Sequence, residues 1–357
     1  MYDTFSKGHA VPMNEYLEQL PIPLLEWYNE NARSLPWRSH PTPYRVWLSE
    51  VMLQQTRVAV VEGYFNRMLE CCPTVADLAA LEEGELMKLW QGLGYYSRAR
   101  SLHRAAKIIT EEYGGQFPAD YAAIRALPGV GDYTAGAICS IAFGMPTPAV
   151  DGNVLRVAAR ITGDDTDIST PAMKKKVTEQ IGEVIPLKTP GDFNQALMEL
   201  GATVCLPNGT PRCEKCPAAS FCQARLTERT AVLPVKAPRK ARRIEQRDVF
   251  LIFRGGRVAL RRRPPTGLLA GLWEFPNEFS PAPCPVPGRE LQVLTGKHIF
   301  SHVEWHMTGR VILTDGEELP EGWVWADRDK LQRVYAIPNA FDPFFSLVEK
   351  TLQFQEV

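Results

Sequence analysis

The sequence predicts a two-domain chain, an all-α body followed by a smaller α+β domain. Three observations carry this. From about Tyr16 to Gly201 apolar residues recur at three- and four-residue spacing, most clearly over 46–60, 78–90, 98–113, 133–143 and 153–162. After residue 247 the pattern changes to short β-branched and aromatic runs bounded by Gly and Pro, such as Asp248-Val-Phe-Leu-Ile-Phe, Trp273-Glu-Phe and Trp323-Val-Trp. Between the two lie four cysteines compressed into eighteen residues, and a chain of 357 residues suits two domains better than one.

The helical body is expected over 16–225, its helices joined by short Gly, Pro and Asp punctuation. Residues 226–246, rich in Ala, Pro, Lys and Arg and without a sustained period, read as a linker. The second domain, 247–357, is expected to build on a mixed or antiparallel sheet, with helices over 289–295 and 327–334. Hydrophobic content of 45% and charged content of 23% describe a core-burying globular chain and exclude a disordered or collagen-like one. No apolar run approaches the roughly 18 residues of a membrane helix, and the first thirty residues carry five acidic side chains and no apolar run. A cytoplasmic monomer is therefore expected. The net charge of −1 hides a patch: between Lys236 and Arg263 eleven Lys and Arg face only Glu245 and Asp248. Such a patch permits a polyanionic partner without demanding one.

The cysteines follow the pattern Cys205-x7-Cys213-x2-Cys216-x5-Cys222. In a reducing compartment disulfides are not expected. Zinc modules pair two close C-x2-C units at a distance, whereas here one close pair is flanked by single cysteines around one compact loop. That spacing favours a [4Fe-4S] cubane, each iron taking one thiolate, with zinc the open alternative. Arg212, Lys215 and Arg225 surround the loop and suit phosphate contacts.

Leu127-Pro-Gly-Val-Gly-Asp-Tyr-Thr134 sits between two helical runs, and Gly129 and Gly131 allow a tight turn. The following helix would then present its free N–H groups to a phosphate. Asp151, in Val150-Asp-Gly-Asn153, reads first as a helix N-cap, and a carboxylate so held is expected to stay ionised. Glu50 is the opposite case. Its helical neighbours Val46, Trp47 and Leu53 place it in an apolar stripe, where desolvation raises its pKa toward neutrality. A structural ion pair is one reading of such a glutamate. The other is a protonated Glu beside an ionised Asp, the division of labour that glycosidic cleavage uses.

Together, Ser49-Glu-Val-Met-Leu-Gln-Gln-Thr56, Gly92-Leu-Gly-Tyr-Tyr-Ser-Arg98, the 127–134 hairpin, Val150-Asp-Gly-Asn-Val154 and the cysteine cluster resemble the helix-hairpin-helix DNA glycosylases of the endonuclease III class. Within that class the chain is similar to the adenine DNA glycosylases from about Leu25 to the C-terminus, its second domain resembling their Nudix-like domain. The resemblance implies a monofunctional base-excision-repair enzyme, carrying one [4Fe-4S] cluster, that flips and excises adenine opposite 8-oxoguanine or guanine in double-stranded DNA, its two domains clamping the mismatch. It assigns Glu50 as the acid, Asp151 as the stabiliser of the sugar cation, and Tyr133 and Asn153 as orienting residues. Arg33, Trp37, Arg38 and Leu53 line the adenine pocket. Gln55 and Tyr95 wedge into the stack, and Thr56, Leu93 and the loop Phe300-Ser301-His302 read the lesion. Lyases of the class place a Lys nucleophile where this chain has Tyr133, and a phenol cannot form an imine. An endonuclease III-like lyase acting on oxidised pyrimidines is thus the enzymatic alternative, and a non-catalytic iron–sulfur DNA-binding protein the other. Two departures stand out. The first cysteine spacing is seven residues where the family usually has six. Arg289-Glu290-Leu-Gln-Val-Leu is all that remains of the Glu-rich Nudix signature, so pyrophosphohydrolase activity is not expected.

Overall fold

The computed structural model describes residues 13–238 and 241–354, so Arg239 and Lys240 of the basic stretch lie outside the described residues. The chain forms two compact units. One gathers Met1–Asn66, Thr74–Ala76 and Ala105–Pro238; the other gathers Arg67–Pro73, Asp77–Arg104 and Arg239–Val357.

The first unit is helical. Local sequence sets the helix ends: Thr42 caps Pro43–Leu53 by accepting from the Arg45 N–H, and Thr170 caps Pro171–Val184 through the Met173 N–H. The helices Pro190–Thr203, Gly152–Thr162 and Pro171–Val184 bury Phe193, Leu197, Leu200, Val154, Val157 and Val177 in one core. Asp132–Phe143 packs against Pro43–Leu53 and Pro190–Thr203. That packing brings the first turn of one helix beside the middle of the two others, which is where the site forms.

Two helical expectations are divided. The period over 46–60 spans two helices, Pro43–Leu53 and Val58–Cys71, because Gln55 takes a left-handed φ of 59° that ends the first. The run 78–90 likewise splits into Val75–Ala80 and Glu83–Leu89. There Glu82 and Glu85 form a reciprocal capping box that starts a new helix.

The second unit is built on a mixed sheet. Strands β1 (Arg243–Arg254), β2 (Arg257–Arg262), β3 (Trp273–Glu274), β4 (Asn277–Phe279), β5 (Arg289–Ile299), β6 (Val303–Leu313) and β7 (Trp323–Ala326) give the main order β3-β2-β1-β6-β5, with β4 on β1 and β7 on β2. β1 and β6 run parallel over eleven residue pairs, and the other pairings are antiparallel. Helix Asp342–Phe354 packs Phe344, Val348 and Leu352 against the face carrying Val249, Leu251, Trp305 and Met307.

The helix expected over 289–295 is instead the first half of β5, paired with β6 on both sides of a bulge between Glu290 and Gln292. Its Val, Leu and Thr residues suit a strand as well as a helix, and the long partner β6 decides between them. The helix expected over 327–334 is present as Arg328–Arg333, capped by Asp327. The basic patch is largely neutralised within the unit. Glu245 takes Arg243 and Arg247, Glu274 takes Arg261 and Arg263, and Arg254 and Arg257 share Glu317. Among the described residues no helix is long and apolar enough to cross a membrane.

Candidate active site

A cavity of about 760 Å³ in the helical unit collects most of the residues singled out from the sequence. Glu50, on the helix Pro43–Leu53, is buried to 7% exposure and accepts a hydrogen bond from the Tyr133 hydroxyl. Burial raises its carboxyl to about 7, against the lowering pull of the Tyr133 hydrogen bond; the charge of Asp151 adds to the rise. Tyr133 sits in the first turn of Asp132–Phe143, with its hydroxyl 3.4 Å from Met198 Sδ. Burial pushes that phenol well above its ordinary range, so it remains a donor at neutral pH.

Asp151 is the N-cap of Gly152–Thr162. Its Oδ1 accepts from the N–H groups of Asn153 and Val154, both at 2.8 Å, and its Oδ2 accepts from the Asn153 amide at 2.7 Å. Burial raises its carboxyl above the usual value, against these hydrogen bonds and the charge of Arg156, which favour the ionised form. The ordinary acidity expected for a helix-held carboxylate is thus displaced upward by burial. Asn153 in turn accepts from Arg156 Nη2 at 2.9 Å. The same guanidinium donates to the carbonyls of Gly201 and Cys205, each at 2.8 Å.

Arg33, Trp37, Arg38 and Leu53 also line the cavity. Trp37 is buried edge-on against Phe65, with ring centroids 5.5 Å apart. The two arginines share a partner that sequence reading missed. Glu199, on Pro190–Thr203, is buried and receives Arg33 Nε at 2.5 Å, Arg33 Nη2 at 2.9 Å and Arg38 Nη2 at 2.8 Å. Burial opposes its ionisation, but the two guanidiniums outweigh it and hold the carboxyl below its ordinary value. The signal was available: Glu199 lies between Leu197 and Leu200 in an apolar run, as Glu50 does in its own.

The hairpin joins Tyr121–Ala126 to Asp132–Phe143. Gly129 has a φ of 76°, which favours glycine, and a Cβ added at Gly131 would meet nothing within 4 Å, leaving the backbone open to approach. Gln55 and Thr56 border the same cavity, Gln55 exposed.

The remaining predicted contacts belong to the second unit. Tyr95 is 44% exposed and, like Gln55, holds a left-handed φ, here 49°. Leu93 is buried in the loop beneath it, and Trp90 Nε1 and Arg98 Nη2 both donate to the Gly94 carbonyl at 3.1 Å. Between β5 and β6, Ser301 and His302 are exposed and 3.2 Å apart through Oγ and Nδ1. The Phe300 ring turns inward against His298 and Trp305, and Arg242 Nε donates to its carbonyl at 3.1 Å. Tyr95 and the 300–302 loop border one cavity of about 590 Å³.

Cys205, Cys213, Cys216 and Cys222 line a separate apolar cavity with Val157, Ile161 and Leu200. Arg160 closes one side, its Nη1 3.3 Å from Cys205 Sγ. Among the described residues no three His, Cys, Asp or Glu side chains converge closely enough to hold a single metal ion. The four thiols around this one cavity are the residues that could hold a metal group.

Residues 48–186 match the HhH-GPD superfamily base excision DNA repair protein family, and residues 248–347 match the NUDIX domain family. The chain is 34% identical over 401 residues to the adenine DNA glycosylase of Homo sapiens, covering 91% of this chain and 73% of the relative. It is 37% identical over 350 residues to that of Rattus norvegicus, covering 79% and 68%. Among solved structures it resembles a thermostable thymine-DNA glycosylase, with a TM-score of 0.54 and 28% identity over 60% of this chain and 97% of that one. A non-covalent endonuclease III–DNA complex gives a TM-score of 0.50 and 26% identity over 59% and 97%.

Proposed function

The chain belongs to the adenine DNA glycosylase family, and on that footing we propose that it excises adenine opposite 8-oxoguanine or guanine in duplex DNA, by hydrolysing the N-glycosidic bond. The observation that carries this reading is Glu50, a buried carboxyl held near pKa 7 and hydrogen-bonded by Tyr133. An adenine turned out of the stack enters the cavity. Protonated Glu50 donates to N7, so the departing base leaves without building up negative charge. C1′ gains oxocarbenium character, and Asp151, held by the helix N-terminus and Asn153, stabilises it until water adds. A positioned general acid supplies roughly 10²–10⁴-fold. Arg33 and Arg38, held rigid by the buried Glu199, form a polar wall beside which the edge of a purine can pack.

Tyr133 argues against the lyase alternative, because its hydroxyl serves Glu50 and no amine stands at that position. Ser301 and His302, exposed on a braced loop, offer donors and acceptors to the altered N7–H and O8 edge of 8-oxoguanine. A [4Fe-4S] cluster, held by Cys205, Cys213, Cys216 and Cys222, would act as a structural pin for the loop they enclose.

Single-turnover cleavage of duplexes carrying A opposite 8-oxoguanine, G or T, with and without alkali, tests the reading. Strand breaks only after alkali, with A opposite T left intact, are expected. Breaks without alkali, or attack on oxidised pyrimidines in place of adenine, would overturn it.

A further inference from the structure

Three cations line the catalytic cavity: Arg33, Arg38 and Lys174. The two arginines are spent on Glu199. Lys174 is not. It lies in the first turns of Pro171–Val184, where Met173 and Val177 face the core, Lys175 pairs with Glu179 and Lys176 pairs with Asp164. Its ammonium makes no hydrogen bond or ion pair to another described residue, and its side chain is half-buried. Lys174 also lines an adjoining cavity of about 150 Å³ with Tyr121, Asp132, Tyr133 and Thr178. It therefore stands at the wall between the two cavities, beside the hairpin turn. Asp132, which lines both cavities, is engaged by Arg125 at 2.6 Å, and the charge of Lys174 adds only a smaller pull on its carboxyl.

The same cavity holds four carboxylates: Glu50, Asp132, Asp151 and Glu199. A nucleotide entering it brings its phosphates toward acidic groups, and a cation without a hydrogen-bonded partner, lining the same cavity as the open Gly131 backbone, counters that repulsion. We infer that Lys174 grips a backbone phosphate flanking the extruded nucleotide and thereby positions the sugar over Asp151. The inference rests on the proposed function. Lys174 is a positioning residue here, acting through the phosphate and not on C1′.

The test uses the full-length protein and a duplex carrying 2′-fluoro-deoxyadenosine opposite 8-oxoguanine, whose fluorine disfavours the oxocarbenium and prevents turnover. Salt-dependent binding by the unmodified protein reports on the proposed function; the comparison with variants reports on Lys174. Lys174→Met should weaken binding about tenfold at moderate salt and lower the slope of log Kd against log salt by about one. Lys174→Arg should restore both, because charge and reach are retained. An unchanged salt slope in Lys174→Met would overturn the inference. So would a borohydride-trapped DNA adduct that disappears in Lys174→Met, since the amine would then attack the ring-opened sugar aldehyde, losing water to an imine, and would not hold phosphate.

Discussion

The Tyr133 hydroxyl donates to Oε2 of Glu50 in the wall of the cavity of about 760 Å³, where Glu50 is buried and Tyr133 half-buried. On the proposed function, the relationship would set the acid's working range. Burial alone would push the Glu50 carboxyl further up, and the phenol pulls it back to about 7 by stabilising the ionised form. A group with that pKa is half protonated near neutrality and gives its proton readily.

Glu50→Gln should abolish measurable adenine excision while leaving mismatch binding, and it should also stabilise the fold. Between pH 4.5 and about 7 the folded state holds a proton that the unfolded chain has released, so stability falls as pH rises through that window and then levels off. A shift of this size costs about 3 kcal/mol at pH 8. Urea denaturation of Glu50→Gln should recover much of that and lose the slope between pH 5 and 7. Near-normal single-turnover rates in this variant would remove Glu50 from the chemistry.

Tyr133→Phe removes the hydrogen bond that lowers the Glu50 pKa. The excision rate should fall as pH rises through about 7 in the parent protein, because the protonated acid is the active form. In Tyr133→Phe that descending limb should move to higher pH. A limb that stays in place, or moves down, would mean Tyr133 does not set the acid's pKa. The acidic limb, set by Asp151, should lie above the range of an exposed aspartate, because burial raises that carboxyl.

Arg156 ties the first turn of Gly152–Thr162 to the start of the cysteine loop. Its guanidinium reaches Asn153 Oδ1 and the carbonyls of Gly201 and Cys205. Arg156→Ala leaves those acceptors unpaired and should cost about 2–4 kcal/mol. Arg156→Lys should rescue only part of this, because an ammonium cannot reproduce the planar fork. Equal stability of Arg156→Lys and the parent in urea would show that the fork geometry is not used.

The purified protein should be brown, with broad visible absorbance and about four irons per chain. Cys216→Ser should lower solubility and DNA affinity more than the rate of the bound complex. Stoichiometric zinc in protein made with ample iron would sink the cluster reading.

What was legible in the sequence was local. Glu50 announced itself by the apolar residues three and four positions away, and Asp151 by the helix it opens. Glu199 gave the same signal, but its meaning depends on Arg33 and Arg38, 166 and 161 residues earlier in the chain. The turn at Gln55 was invisible because no Gly or Pro marks it; a strained left-handed residue does the work, as at Tyr95. β5 was mistaken for a helix because β6, its pairing partner, settles a segment whose own preferences are balanced. The basic stretch left a polyanionic partner open, because two of its acidic partners, Glu274 and Glu317, lie outside it in sequence.

The preference for adenine opposite 8-oxoguanine over adenine opposite guanine should depend on the 300–302 loop. Ser301 and His302 are the exposed groups, while Phe300 packs against His298 and Trp305 and anchors the loop from inside. The two kinds of residue should therefore fail differently. Ser301→Ala removes one polar contact to a base edge, worth roughly 1–3 kcal/mol of discrimination, and should leave thermal stability unchanged. Phe300→Ala should narrow the preference and also lower the melting temperature, because a packed ring is lost. Truncation at residue 239 is a poorer test, since residues 77–104 share a compact unit with 239–357 and would lose their packing. Base excision itself should persist in both point variants, Glu50 and Asp151 being untouched. If Phe300→Ala combined with Ser301→Ala kept the full preference in competing single-turnover assays, lesion reading would belong to Leu53, Gln55 and Thr56 at the rim of the catalytic cavity.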